Sequence, residues 1–460
     1  MNTITAAIDV LSEQEKELIH RKSCRLLEEV GIYAPCRSFL KLMEENGAVI
    51  DYDREIFFLP EGLTQSLLEE GRARHNTNYT LEPLSGYVST EVYMVDYRTR
   101  TRRPGTVDDI MKGIALLNHL SAFPGANAIV VPSDVPACVS DVVSFQKLLT
   151  YSEKPGGTYI LSKDSAEYII RLAQAAGKEI SYDFQTVSPF RYSADTLELA
   201  MFFHDRGLKA TASPFVMSMG SGPVTTAGAL LVQNTEYLAC MFVSNVLAGR
   251  TIEYSVSIHP MDPGTLICSF GAPGLSMSAL AGCSMARYYG LTCGGNVGLT
   301  DSLDPDFQAG FEKGISAAFS AFSGGKFVGC QGIVGADQGN SLEQLVIDNE
   351  WLEAFNFSIR GIPVNEETLA EDLIRELGIG GSFISEEHTI EHLREYHWQP
   401  SVFHRGPWSD NSKTLLERAE DKVREYTRGY QTAAPIVPDD TARELQKIAE
   451  EALKELPDKR

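Results

Sequence analysis

The chain has 460 residues, 43% of them hydrophobic, and 62 acidic side chains against 40 basic ones give it a formal charge of −22. That is enough apolar material for one barrel-sized domain with extensions, or for two to three smaller domains. The negative surface repels nucleic acid and anionic membrane and favours cationic ligands.

Near the start, Ser12 followed by Glu15 forms a capping-box pattern. Ile19, Leu26, Leu27 and Val30 then keep helical spacing until Gly31, which is placed to end the helix. A second helix is expected at 38–45, and residues 1–85 read as an N-terminal helical extension. From residue 87 the rhythm changes. Short β-type runs at 87–94, 126–131, 158–161, 181–187, 209–215, 252–258, 292–297 and 327–331 alternate with helical runs at 107–120, 139–151, 166–176, 194–205, 225–248, 275–289 and 305–323. Eight β units separated by helices over about 245 residues predict an α/β protein built on a TIM (β/α)8 barrel, assigned to residues 86–335. A doubly wound sheet is the alternative, but no glycine-rich dinucleotide fingerprint follows any strand. In the last barrel helix, Asp304 and Pro305 are expected as N-cap and first residue, with Phe307, Phe311, Ile315, Ala318 and Phe322 as its buried stripe. Residues 336–460 are expected as C-terminal helices packed on the barrel, including 342–359 and 366–377. The end, 441–460, reads as an amphipathic helix, either solvated or an oligomer contact.

Eight cysteines without a CxxC pair, several in apolar segments, read as reduced thiols. The opening residues lack a basic and then apolar leader, and no run of about 18 apolar residues occurs, so a cytoplasmic protein is expected.

In a barrel, chemistry sits where the strands end. On the sixth predicted strand, Ile252, Tyr254, Val256 and Ile258 share one face, while Glu253, Ser255, Ser257 and His259 share the other. Four polar groups inside a barrel imply either a satisfied hydrogen-bond network or a polar funnel. The strand ends mix aromatic, amide or imidazole side chains with Gly or Pro: SPFRYS, SPFVMSMGSGP, SIHPMDPG, NVGLTDS and QGIVGADQG. Phe190, Tyr192, Phe215 and Tyr254 suit an aromatic cage for a quaternary ammonium, although each alone also suits a core. Arg191 suits a substrate carboxylate or a structural ion pair. Gly220 and Gly222 permit close backbone approach to an anion, or form an ordinary turn. The run His388-Thr-Ile-Glu391-His392 matches a reversed zinc-protease pattern, but no third ligand is suggested. There is no P-loop and no G-x-S-x-G elbow.

Four long segments carry a resemblance. They are ARYYGLTCGGNVGLTDSLDPDFQAGFEKG (286–314), SLEQLVIDNE (341–350), GGSFISEEHTIEHLREYHWQP (380–400) and RRPGTVDDI (102–110). In these the chain resembles the trimethylamine methyltransferase family, specifically its members without pyrrolysine. One departure is GAPG at 271–274, where members commonly carry Gly-x-Pro-Glu, so that Gly274 replaces an acid. The resemblance implies methyl transfer from a quaternary amine (glycine betaine, proline betaine, carnitine or a butyrobetaine) to cob(I)alamin. No cofactor would be tightly bound, since a partner corrinoid protein supplies the corrin. A homo-oligomer is also expected. On this reading Phe190, Phe215 and Tyr254 hold the ammonium and Arg191 the carboxylate. Ser257 and His259 complete the substrate pocket, and Asn296, Asp301, Gln331 and His388 stand at the mouth as catalytic candidates. The competing functions are a non-catalytic betaine-binding barrel and a zinc hydrolase using His388 and His392.

Overall fold

The computed structural model describes residues 8–74 and 81–459, so the parts of the expected N-terminal extension at 1–7 and 75–80, and residue 460, lie outside it. The first helix runs Glu13–Glu29, with Ser12 and Glu15 forming both hydrogen bonds of the capping box. The chain leaves it through Gly31 at φ +71°. Sequence reading misses the small antiparallel sheet that follows, in which Ile56–Phe58 lies between Ile32–Tyr33 and Val49–Asp51. Strands of two and three residues carry too little alternation to be recognised.

Parallel strands dominate the middle of the chain. Tyr254–Val256, Cys293–Gly295, Gly325–Gln331 and Ser85–Val88 form one sheet in that order. Ser181–Gln185 pairs in parallel with Lys209–Ser213. The extensions of two of these strands, Val216–Ser218 and Ile258–Pro260, pair with each other and join the two groups. The segments expected as strands at 126–131 and 158–161 are less regular. The first touches the edge through a parallel bridge between Glu91 and Val130, and the second joins no sheet.

Helices return the chain between strands at Val107–His119, Ser140–Tyr151, Lys163–Ala175, Ala194–His204, Thr226–Ala248, Pro273–Tyr289 and Phe307–Phe322. Burial follows the strand pleat. In Ser181–Gln185, Phe184 is buried against the aromatic rings of Tyr182 and Tyr192, whereas Asp183 and Gln185 are exposed on the opposite face. That face stays open toward the strand starts, where a cavity of about 430 Å³ is lined by Tyr87, Asn127, Gly156 and Asp183 among others.

The last of these helices differs from expectation. Asp306, not Asp304, is its N-cap, accepting from the Ala309 amide at 3.0 Å. Its buried face is Ala309, Lys313, Ser316, Ala317, Ser320 and Ala321, while Phe307 is 86% exposed and Phe311 55%. Small side chains let this helix lie close to its neighbours, so the aromatic stripe faces out.

Beyond it, Leu342–Ile359 forms as expected. The 366–377 segment is broken at Ala370, which sits at φ +48°. The final helix, Asp439–Glu455, is neither solvated nor free. It buries Leu445, Ile448, Ala449 and Ala452, and shares a hydrophobic cluster with residues of Ser140–Tyr151 and Lys163–Ala175. No helix among the described residues is long and apolar enough to cross a membrane.

Candidate active site

Several strand ends converge on one cluster. His259, at the end of Ile258–Pro260, is fully buried. Its ring stacks on Phe215 at 5.0 Å between centroids and meets the ring of Phe270 edge-on at 5.1 Å. Its Nε2 lies 3.3 Å from Ser257 Oγ and 3.4 Å from Asn296 Nδ2. Burial, with no carboxylate to offset it, pushes the imidazole down to about 4, so it is neutral at pH 7. Asn296 follows the next strand and reaches the one beyond, since a Cβ on Gly329 would collide with its Oδ1. The structure thus brings together Phe215, Ser257, His259 and Asn296 of the residues chosen from sequence.

Two carboxylates join this group from elements that sequence reasoning passed over. Burial first, and the Asp337 carboxylate second, push Glu91 up to about 7. Asp337 is also raised by burial, although the residue is exposed to solvent. A side chain both crowded and wet lies in a concavity. The same two carboxylates act on the thiol of Cys330, which burial above all raises to about 12, and Asn296 hydrogen-bonds that thiol. Glu91 was hidden inside a predicted strand, and Asp337 inside a glycine-rich strand end. The available signal was an acid at the carboxyl end of a strand and another in the loop after one.

Backbone strain marks the same region. Phe190, Met219, Leu266, Cys330 and Asp337 hold positive φ values of 45–76° in the loops and strand ends on this side. Such conformations cost of order 1–3 kcal/mol each and persist where surrounding contacts enforce them. For Phe190 the enforcing group is Glu236, fully buried in Thr226–Ala248. Its carboxylate accepts from Phe190 N at 2.8 Å, Ser188 Oγ at 2.6 Å and Thr186 Oγ1 at 2.8 Å.

The remaining candidates have other duties. Tyr254 is buried against Tyr237 and Tyr289 and donates to Asn234 Oδ1 at 2.9 Å, so it lies in the strand–helix layer and not in the cluster. Phe190 is partly buried and packs against the large hydrophobic cluster that runs from Cys24 to Cys293. Arg191 is exposed and donates from Nε to its own Val187 carbonyl at 3.2 Å. Asp301 clamps the loop before Pro273–Tyr289, accepting from Phe270 N at 2.6 Å and from Ser269 Oγ. Glu312 in turn accepts from Thr300 Oγ1 at 2.6 Å and Asp301 N at 2.9 Å, which accounts for the Thr-Asp and distal Glu of the longest motif. Gln331 is buried beneath, donating to Gly298 O at 3.1 Å and to Gly329 O. Gly274 lies in the first turn of its helix beside the rim, where a Cβ would come 2.9 Å from Pro260 Cγ.

His388 is not brought to the cluster. It lies on Glu387–Tyr396 with its Nε2 3.2 Å from Glu367 O and its ring 4.4 Å from that of His392. Among the described residues no group of three or more His, Cys, Asp and Glu is arranged to hold a metal ion.

The family described as Trimethylamine methyltransferase (MTTB) matches residues 1–457. The glycine betaine methyltransferase of Desulfitobacterium hafniense is 24% identical over 95% of this chain and 95% of its own length. The trimethylamine methyltransferase MttB of Methanosarcina barkeri is 25% identical over 97% and 95% respectively. The crystal structure of the Methanosarcina barkeri monomethylamine methyltransferase MtmB superposes with a TM-score of 0.53 at 11% identity, covering 98% of this chain and 88% of that one, and so shares its fold. Matched over nearly its full length, the chain belongs to the trimethylamine methyltransferase family.

Proposed function

We propose that this methyltransferase takes a methyl group from a quaternary amine and passes it to the cob(I)alamin of a partner corrinoid protein. The observation that carries the reading is the cluster itself: two aromatic rings around a neutral imidazole, beside the carboxylates of Glu91 and Asp337. Aromatic faces and negative charge attract a fixed cation, by about 2 kcal/mol for each ring contact once water is excluded. A neutral His259 adds no competing positive charge.

The chemistry asks little else of the chain. A quaternary nitrogen already carries its charge. When the C–N bond breaks, both electrons stay on nitrogen and a neutral tertiary amine leaves, so no acid is required. The docked corrinoid supplies the nucleophile. The residues here orient the methyl group and keep water out, and orientation accounts for much of the rate. The rim leaves Leu266, Leu303, Phe307 and Phe311 more than half exposed, an apolar border that suits a docking protein.

Two structural inferences belong to the same proposal. The parallel strands, with 126–131 and 158–161, close into an eight-stranded (β/α)8 barrel whose mouth is this cluster. The chain divides into an extension at 1–85, the barrel at 86–335 and C-terminal helices at 336–460. Support comes from the regular strand–helix alternation and from the parallel pairing that prevails after the extension, where the one antiparallel strand pair among the described residues is the hairpin of Tyr93–Asp96 and Thr101–Pro104.

The test is direct. The enzyme is incubated with cob(I)alamin and a panel of quaternary amines, and the visible spectrum is followed. At least one amine should convert the Co(I) spectrum to that of the methylated cofactor. Absence of conversion with every quaternary amine, both with free cob(I)alamin and with a docked corrinoid protein, sinks the proposal.

A further inference from the structure

The proposed reaction leaves open what the far end of the amine carries, and the mouth bears on that. Three buried side-chain atoms there have no hydrogen-bond partner: Asn340 Oδ1, Asn296 Oδ1 and His259 Nδ1. Asn340 is fully enclosed and spends its N–H on Ser89 Oγ at 3.3 Å, which leaves the amide oxygen for another donor. Nε2 of the neutral His259 ring accepts from Asn296 Nδ2, so its Nδ1 carries the proton, and the two amide oxygens are the acceptors left without donors. Such buried acceptors are costly and mark a place where a donor group arrives. Beside them stand Glu91 and Asp337, and among the described residues neither has a lysine or arginine partner.

The nearby basic groups are engaged elsewhere. In the turn between the antiparallel strands Tyr93–Asp96 and Thr101–Pro104, Arg100 pairs with Asp304 at 2.8 Å. Arg102 donates to the carbonyl of Gln338 at 3.1 Å and to its Oε1 at 3.0 Å. Arg191, the sequence candidate for a substrate carboxylate, is exposed and donates to its own loop. A ligand carboxylate needs donors and positive charge around it. Here it would meet two unpaired amide oxygens and two further carboxylates against a single imidazole N–H, an arrangement that selects against it.

We propose that the mouth selects a quaternary ammonium whose far end is a hydroxyl or another neutral donor, the chemical class of choline, over one that ends in a carboxylate. Glu91 faces the cation, and one of the two free amide oxygens, of Asn296 or Asn340, accepts the hydroxyl's single proton. This rests on the functional reading above, and a pair of measurements separates the two.

Calorimetry on the full chain at pH 8 compares choline, tetramethylammonium and glycine betaine. Choline is expected to bind at least tenfold more tightly than glycine betaine and several-fold more tightly than tetramethylammonium. In Glu91→Gln, choline affinity should drop at least tenfold while glycine betaine changes less than threefold, with an unchanged melting curve as the folding control. Glycine betaine binding as tightly as choline, no binding of choline, or indifference of choline to Glu91→Gln overturns the proposal. The same ligands with cob(I)alamin then report methyl transfer. Choline that binds selectively while no quaternary amine, choline included, loses a methyl group removes the catalytic reading and leaves the selectivity. Methyl transfer from glycine betaine in preference to choline does the reverse.

Discussion

His259 is enclosed between two aromatic rings, and its proton affinity follows from that enclosure. The folded value of about 4 lies below the ordinary 6.5 of an unfolded chain, so the folded state binds fewer protons across that interval. The stabilising contribution is complete above about pH 6.5 and is lost as pH falls toward 4. A shift of this size corresponds to something of the order of 3 kcal/mol. Chemical unfolding at pH 7 and pH 4.5 should show His259→Gln losing less stability between the two than the parent chain. His20 is lowered by burial too, so the parent's own acid sensitivity contains both residues and the difference isolates one. Equal losses in the two proteins would mean that His259 is solvated in solution. At this scale the readable residues were those that alternate along a strand. Ser257 and His259 fell together on the face opposite Tyr254 because a pleat has period two. The same rule placed Tyr254 with Val256 against the helices, and choosing it for an ammonium cage ran against that rule. Glu91 and Asp337 were not legible because their significance depends on elements far apart in sequence closing over one space.

At the scale of elements, the helices between the parallel strands were legible to within about three residues, and the parallel ladder less so. Thr226–Ala248 and Leu342–Ile359 match their expected bounds within a residue, because capping groups and long apolar periodicity mark both ends. The facing of Phe307–Phe322 was not legible. Its phenylalanines and its small residues both repeat with helical spacing, and only the neighbours decide which stripe is buried. Lys313 settles the matter, paired with Asp348 at 3.1 Å with both side chains enclosed. Phe307→Ala and Phe311→Ala should therefore change unfolding free energy by less than about 0.5 kcal/mol, as surface substitutions do. Ala317→Leu should cost about 1–3 kcal/mol by overpacking. The phenylalanine variants should instead raise KM for the corrinoid partner roughly tenfold or more while leaving the rate with free cob(I)alamin unchanged, consistent with the loss of about 1–2 kcal/mol at an interface. A loss of stability of about 3–5 kcal/mol on Phe307→Ala, the cost of a core truncation, would reverse the assignment.

For the whole molecule, the question is what the last helix is for. Its sequence alone is strongly amphipathic, and an amphipathic helix can cover its own protein, a second copy or nothing stable. The structure gives it an intramolecular role. Leu445, Ile448 and Ala452 lie in one cluster with Val139, Val142, Phe145, Ile169 and Leu172. Polar contacts frame the seam, with Arg171 on Glu451 at 2.5 Å and Tyr168 Oη donating to Glu455 at 2.6 Å. Ser140–Tyr151 and Lys163–Ala175 flank the two least regular strand segments, 126–131 and 158–161, so the C-terminal helix braces that side of the sheet from outside. Leu445→Ala should accordingly lower the unfolding free energy by about 2–5 kcal/mol, the usual range for a buried leucine. Glu450, on the exposed face, should tolerate alanine within about 0.5 kcal/mol. Protein concentration tells the two roles apart. A helix that braces its own chain gives the Leu445→Ala loss unchanged from micromolar to ten times that concentration. One that holds two copies together gives a midpoint that climbs with concentration, because association stabilises by mass action. Urea melts of the parent and the variant at two concentrations decide this, and a concentration-dependent Leu445→Ala effect would return the helix to an interface between copies.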